Sequence, residues 1–130
     1  MNYTIKSFTK TKYDYFLVIN VYNEGKRLHK FLSEIKKNKN FGVLIADSPS
    51  SDGSTKPEVL SDYNVDILLS MRERSDHTTT LLAVSDFLMK KIFKGIIIVD
   101  GNGKDSPIFT DDFIFKLENG YDYIQGSRYL

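Results

Sequence analysis

The chain is a series of short unbroken apolar runs separated by stretches in which apolar residues recur every three or four positions. Residues 15–22, YFLVINVY, are rich in branched and aromatic side chains and stop at NEG, which predicts a first strand. Leu28, Phe31, Leu32 and Ile35 then fall at i, i+3, i+4 and i+7, the spacing that puts one apolar stripe on a helix, and KKNKN ends it. A second strand, FGVLIAD, closes at Asp47, and the density of Ser, Pro, Asp and Gly in SPSSDGST predicts a loop. PEVLSDY predicts a weak helix and VDILLSM a third strand. The polar stretch RERSDHTTT leads into a longer helix with Leu81, Val84, Leu88 and Ile92 on one face. Ile96, Ile97, Ile98 and Val99 make a fourth strand, fit to be buried on both faces, that ends on Asp100. In SPIFTDDFIFKLENG a helix is expected, with Ser106 as cap, Pro107 in the first turn, a stripe of Phe109, Phe113 and Leu117, and Gly120 as its stop. YDYIQGS predicts a fifth strand, and the first dozen residues, which have no clear period, a loose arm.

Strands alternating with helices at this spacing predict a doubly wound α/β domain over residues 1–130, with a mostly parallel sheet between two helical layers (three-layer α/β/α). Ligands of such sheets bind beyond the carboxyl ends of the strands. Here those ends carry NEG, DSPSSDG, RERSDH, DGNGKD and GSRY, so the polar clusters converge on one edge.

Composition narrows the classes. At 130 residues, 41% hydrophobic and 27% charged, the chain has the make-up of one soluble domain. A net charge of +1 gives no bulk attraction to nucleic acid, and the absence of cysteine excludes disulfides and thiolate metal sites. No apolar run reaches the roughly 18 residues of a membrane span, and MNYTIKSFTKTKYDY lacks a signal peptide's apolar core, so a cytoplasmic protein is expected.

Several strand-end residues have chemistry to offer, each beside a plainer role. Asp100 and Asn102 present oxygen donors across a glycine turn, either as ligands for Mg²⁺ or Mn²⁺ or as ordinary turn residues. Asp47 can accept from a nucleobase, or simply terminate its strand or cap a helix. The guanidinium groups of Arg72 and Arg74 suit phosphate oxygens, although surface arginines are commonly just solvated. Lys104 is within reach of a phosphate or sugar oxygen bound at that turn. Glu24 complements the positive end of the first helix, as Asp111 and Asp112 do for the last, and His77 reads as a helix-start residue.

Four of these motifs, in this order, resemble the nucleotide-binding half of family-two glycosyltransferases of the GT-A fold, the group that includes the dolichol-phosphate mannose synthases. VINVYNEG is similar to the family's first strand and loop, with Asn20 where proline is usual. LIADSPSSDGS is similar to its Asp-Asp-Gly-Ser-Thr-Asp-Gly segment, matching at Asp47, Ser50, Asp52 and Gly53 and departing at Ser48 and Pro49. IIIVDGNGKDSP stands where the family carries its Asp-x-Asp metal motif, and GYDYIQGSRY matches the Gly-Ser-Arg-Tyr ending. The likeness covers roughly residues 15–130.

The resemblance implies a Rossmann-like, donor-binding half of an inverting transferase that uses a nucleoside diphosphate sugar. Tyr22, Asn23, Glu24, Asp47 and Ser48 would lie near the nucleoside, Arg128 near the diphosphate or the acceptor entrance, and Asp100 with Asn102 would hold the divalent cation, while Arg72, Arg74 and Lys104 are donor-binding candidates by their own chemistry. The family's acceptor site and general base lie after Gly-Ser-Arg-Tyr, so the catalytic base is not expected in this chain and the domain is expected to be truncated at its C-terminal end. A lipid-linked acceptor would bring peripheral contact with a membrane, and the apolar surface left by a missing half would favour homo-oligomers. Two other classes compete: a nucleotide-binding remnant without catalysis, and a phosphoacceptor receiver domain. A receiver would want an acidic pair after its first strand and a lysine after its fifth, where this chain has YNEG and GSRY.

Overall fold

A computed structural model describes residues 2–10, 12–102 and 106–119. Within them run β1 (Tyr3–Ser7), β2 (Tyr15–Val21), α1 (Lys26–Ser33), β3 (Gly42–Asp47), α2 (Pro57–Leu60), β4 (Ile67–Met71), α3 (His77–Leu88), β5 (Gly95–Asp100) and α4 (Thr110–Glu118), the last entered through a 3₁₀ turn at Pro107–Phe109. The sheet order is β1-β4-β3-β2-β5. β2 pairs in parallel with both β3 and β5, and β3 in parallel with β4, whereas β1 runs antiparallel to β4. The fold is therefore α/β with a five-stranded mixed sheet.

Both sheet faces are dry, which explains why β2 and β3 are almost continuously apolar. Leu17, Ile19, Val43 and Ile45 point to one face, where Leu28, Phe31 and Leu32 of α1, Leu60 of α2 and Ile114 of α4 cover them. Phe16, Val18, Leu44 and Ala46 point to the other, beneath Ala83, Val84 and Leu88 of α3. Period-two strands against period-3.6 helices thus give two cores separated by the sheet.

The first dozen residues are not a loose arm. Tyr3 to Ser7 form β1, in register from Tyr3 opposite Met71 to Ser7 opposite Ile67. The strand carries little apolar signal because most of it is exposed, and its anchors are polar. The Tyr3 hydroxyl donates to Asp86 on α3 at 2.7 Å, and the Phe8 N–H to the Asp66 carbonyl at 2.7 Å. β5 departs from expectation too: among the described residues it is an edge strand, and Ile98 is 44% exposed. α3 ends before Ile92, which is fully exposed; Leu81, Val84 and Leu88 face the core as expected, joined by Thr80 and Ala83. In α4 Thr110 and Ile114 are buried and Leu117 packs against the same core as expected, with Phe109 outside. Ser106 caps as expected, accepting from the Ile108 N–H, with Pro107 directly after it. The expected fifth strand, YDYIQGS, lies outside the described residues.

The amino ends of the parallel strands are closed by a buried ion pair. Lys39 Nζ lies 2.8 Å from Asp66 Oδ2, with both side chains almost wholly buried. The same carboxylate accepts from the Val43 N–H at 2.8 Å and from Thr9 Oγ1 at 2.6 Å, so N-terminal segment, β3 and the approach to β4 meet on one residue. The Tyr13 ring lies under the ammonium, 5.0 Å from Nζ to the ring centroid. Asp66→Ala strips the counter-charge from a buried ammonium and is expected to cost about 3–5 kcal/mol. Urea unfolding measures it, and a loss under about 1 kcal/mol would contradict this role.

Candidate functional site at the strand ends

Because β4, β3, β2 and β5 are mutually parallel, they finish side by side at Met71, Asp47, Val21 and Asp100. The loops beyond them share one edge of the sheet, the place where open α/β sheets bind ligands.

Asp47 organises the loop after β3. Its Oδ1 accepts from the Ser50 N–H at 2.8 Å and from Ser50 Oγ at 2.7 Å, and its Oδ2 from Thr55 Oγ1 at 2.7 Å. A carboxylate 3% exposed is tolerable at a strand end because these donors replace water. Asn23 ties this loop to the one after β2. Its side-chain oxygen accepts from the N–H groups of Ser51 (2.7 Å) and Asp52 (3.2 Å), while its own N–H donates to Ser50 Oγ at 2.9 Å. Its φ of 51° lies in the left-handed region, which asparagine tolerates better than most residues. Ser48 is buried and adds one rung to the ladder, donating its N–H to the Val21 carbonyl at 3.2 Å.

Asp52 completes the latch by accepting from the Ser54 hydroxyl at 2.6 Å and the Ser54 N–H at 3.0 Å. The Ser54 hydroxyl chiefly, with backbone N–H groups of Ser54 and Gly25, holds the Asp52 carboxyl below its usual 3.8 against partial desolvation. The Ser54 carbonyl in turn meets His29 Nε2 at 2.9 Å, and the His29 ring stacks on Tyr63.

Tyr22 and Arg74 span the end of β3 from either side. The Arg74 guanidinium lies 3.9 Å from the centroid of the Tyr22 ring, and its Nη1 donates to the Tyr22 hydroxyl at 3.0 Å. Arg72 is anchored through its backbone, donating its N–H to the Asn2 carbonyl at 3.1 Å, and its side chain is exposed. Arg27 approaches Glu24 Oε2 at 3.4 Å as a charge pair outside hydrogen-bond geometry, so that buried oxygen accepts no hydrogen bond among the described residues.

On the α3 face, Asn20 and Asp100 are register partners on adjacent strands, so their side chains leave the sheet on the same side. Asn20 Nδ2 meets His77 Nδ1 at 2.6 Å, while Asn20 Oδ1 is buried without a donor among the described residues. Asp76 caps α3 by accepting from the Thr79 N–H at 2.7 Å, which sets His77 at the helix start as the sequence suggests. Gly101 lets the next turn fold against β2. Its N–H donates to the Asn20 carbonyl at 2.9 Å, and a Cβ there would come 3.1 Å from Val21.

Tyr22, Asn23, Glu24, Asp47, Ser48, Arg72, Arg74 and Asp100 are thus all carried by strand ends or loops of one edge, with Asn102 two residues beyond Asp100. Lys104 and Arg128 lie outside the described residues. The donor types at the end of β5 are hard: the exposed Asp100 carboxylate and, on its register partner Asn20, an amide oxygen without a donor among the described residues. They fit a divalent cation that draws most of its coordination from a bound ligand and water. No group of three or more His, Cys, Asp or Glu side chains able to hold a metal occurs among the described residues. Also among them, no helix is long and apolar enough to cross a membrane. The binding roles of Asn20 and Asn23 within the protein escape sequence reasoning; the turn-forming character of SPSSDGST was the only cue to the latch.

Neither protein-family models nor curated proteins match this chain.

The latch predicts a pH dependence. A carboxyl whose folded value is depressed contributes stability that is complete above its unfolded value and lost as pH falls through the folded one. The thermal midpoint of the native chain is therefore expected to fall more steeply below pH 3.8 than that of Asp52→Asn. Parallel acid limbs in the two proteins would contradict it.

Proposed function

We propose that this chain is the donor-binding half of a family-two glycosyltransferase of the GT-A fold, taking a nucleoside diphosphate sugar at the strand-end edge. The observation that carries the reading is the parallel order β4-β3-β2-β5. It brings the Arg72–Arg74 loop, Asp47, the Tyr22–Glu24 loop and Asp100 together from four separate parts of the chain.

In this reading Tyr22 and Asp47 flank the nucleoside, with the loop after β3 already fixed by the Asp47, Asn23 and Asp52 hydrogen bonds, so binding orders little backbone. Arg72 and Arg74 supply guanidinium groups for the diphosphate, Arg74 from its stacked position on Tyr22. Asp100, with Asn102, holds Mg²⁺ or Mn²⁺, whose chemistry when bound is to neutralise the leaving diphosphate. In an inverting transferase of this kind an acceptor hydroxyl or phosphate would attack opposite the leaving group and invert the anomeric centre. A second reading, nucleotide binding without transfer, is favoured by the neutral Asn102 at the second ligand position.

Calorimetric titration with UDP and GDP, with and without Mn²⁺, tests the proposal. Saturable, Mn²⁺-dependent binding of one of them is expected, weakened about tenfold or more by Asp100→Ala, which removes the charged ligand of the cation. Failure of both nucleotides, or binding indifferent to Asp100→Ala, would overturn it.

Self-association belongs to the same reading. Leu82 and Met89 of the α3 region and Ile108 and Phe115 near α4 are large apolar side chains in water. Light scattering is expected to show a mass that rises with concentration; a constant monomer mass at high concentration would count against it.

A further inference from the structure

A cleft of about 360 Å³ lies on the α1 and α2 side of the sheet, between residues 49–57 and the β1–β4 pair. The register sets Thr4 beside Ser70 and Lys6 beside Leu68, so β1, absent from the donor-sugar reading, supplies one wall. None of Tyr22, Arg74 or Asp100 lines it.

The chemistry of its wall is one-sided. Lys6 and Lys56 bring two ammonium groups, and neither makes an ion pair or side-chain hydrogen bond within the described residues. The hydroxyls of Thr4, Ser51 and Ser70 are equally uncommitted there. The one carboxylate on the wall, Asp47, already accepts three hydrogen bonds from its own loop. What remains to face a ligand is two positive charges and rotatable hydroxyls, with Leu68 and Pro57 among the apolar residues of the lining. Ammonium and hydroxyl donors without a competing free acid suit the oxygens of a phosphate group. The volume stands at the small end of ligand cavities, which run from roughly 300 to 1,000 Å³. It admits a phosphorylated molecule of monosaccharide size.

We propose that this cleft is a second, separate site for a small phosphate-bearing molecule, its phosphate held by Lys6 and Lys56 and its body resting on Leu68 and Pro57. The two sites share Asp47 and its loop, but the proposal stands apart from the strand-end reading because Lys6 and Lys56 have no part in that reading.

Inorganic phosphate is the probe, titrated into ¹⁵N-labelled protein at constant ionic strength with chloride as the comparison. Saturable shifts are expected at residues 4–6, 51–57 and 68–70 with phosphate and not with chloride. The double variant Lys6→Gln/Lys56→Gln, two exposed positions whose replacement leaves the fold intact, is expected to weaken binding about tenfold or more. Asp100→Ala is expected to leave it unchanged. No saturable shift, an equal response to chloride, shifts that survive the double variant, or loss of binding in Asp100→Ala would each overturn the site.

Discussion

Everything in this molecule depends on the burial of β2 and β3 on both faces. A strand with dry surfaces above and below has no water for its backbone, so each N–H and C=O must find its partner in the ladder. β2 meets this by pairing with β3 on one side and β5 on the other, and β3 by pairing with β2 and β4. These pairings are parallel and joined by helical crossovers, and that geometry forces four strand ends onto one edge. The convergence of polar residues there is a consequence of how the core is made.

The two ends of the sheet then differ in kind. At the amino ends, Asp66 collects Lys39, Val43 and Thr9 into a buried group in which both charges have close partners. At the carboxyl ends, Asp47, Asn23 and Asp52 hold the loops, but Asn20 Oδ1 stays buried without a donor among the described residues, and Glu24 Oε2 has the 3.4 Å charge pair with Arg27 and no hydrogen bond. Buried acceptors left unmade cost free energy, and native proteins concentrate such departures where a ligand or ion completes them. One end is closed by its own residues; the other keeps, among the described residues, a buried amide oxygen that no donor meets.

Much of this architecture was legible in the sequence, because β2 to β5 are long apolar runs and α1 has an unambiguous stripe. β1 was not legible, since an edge strand of mostly exposed residues held by Tyr3 and Phe8 contacts carries no hydrophobic period. The triple isoleucine of β5 pointed to a doubly buried strand, yet Ile98 is largely exposed, because composition records apolarity and not which neighbour covers it. At the site, the strand-end positions of Asp47 and Asp100 came from counting runs. The commitment of Asp47 to Ser50 and Thr55 did not, because a carboxylate before a Ser-rich loop reads equally as a ligand contact and as a loop organiser.

Paramagnetic broadening by Mn²⁺ tests most directly whether the carboxyl-end edge takes a metal-bound nucleoside diphosphate, as we propose. With UDP or GDP present, substoichiometric Mn²⁺ is predicted to broaden the amides around Asp100, Gly101, Asn20 and His77 first, sparing those around Lys39 and Asp66 at the far end of the strands. Broadening centred on the far end, or spread evenly over the surface, would contradict the account.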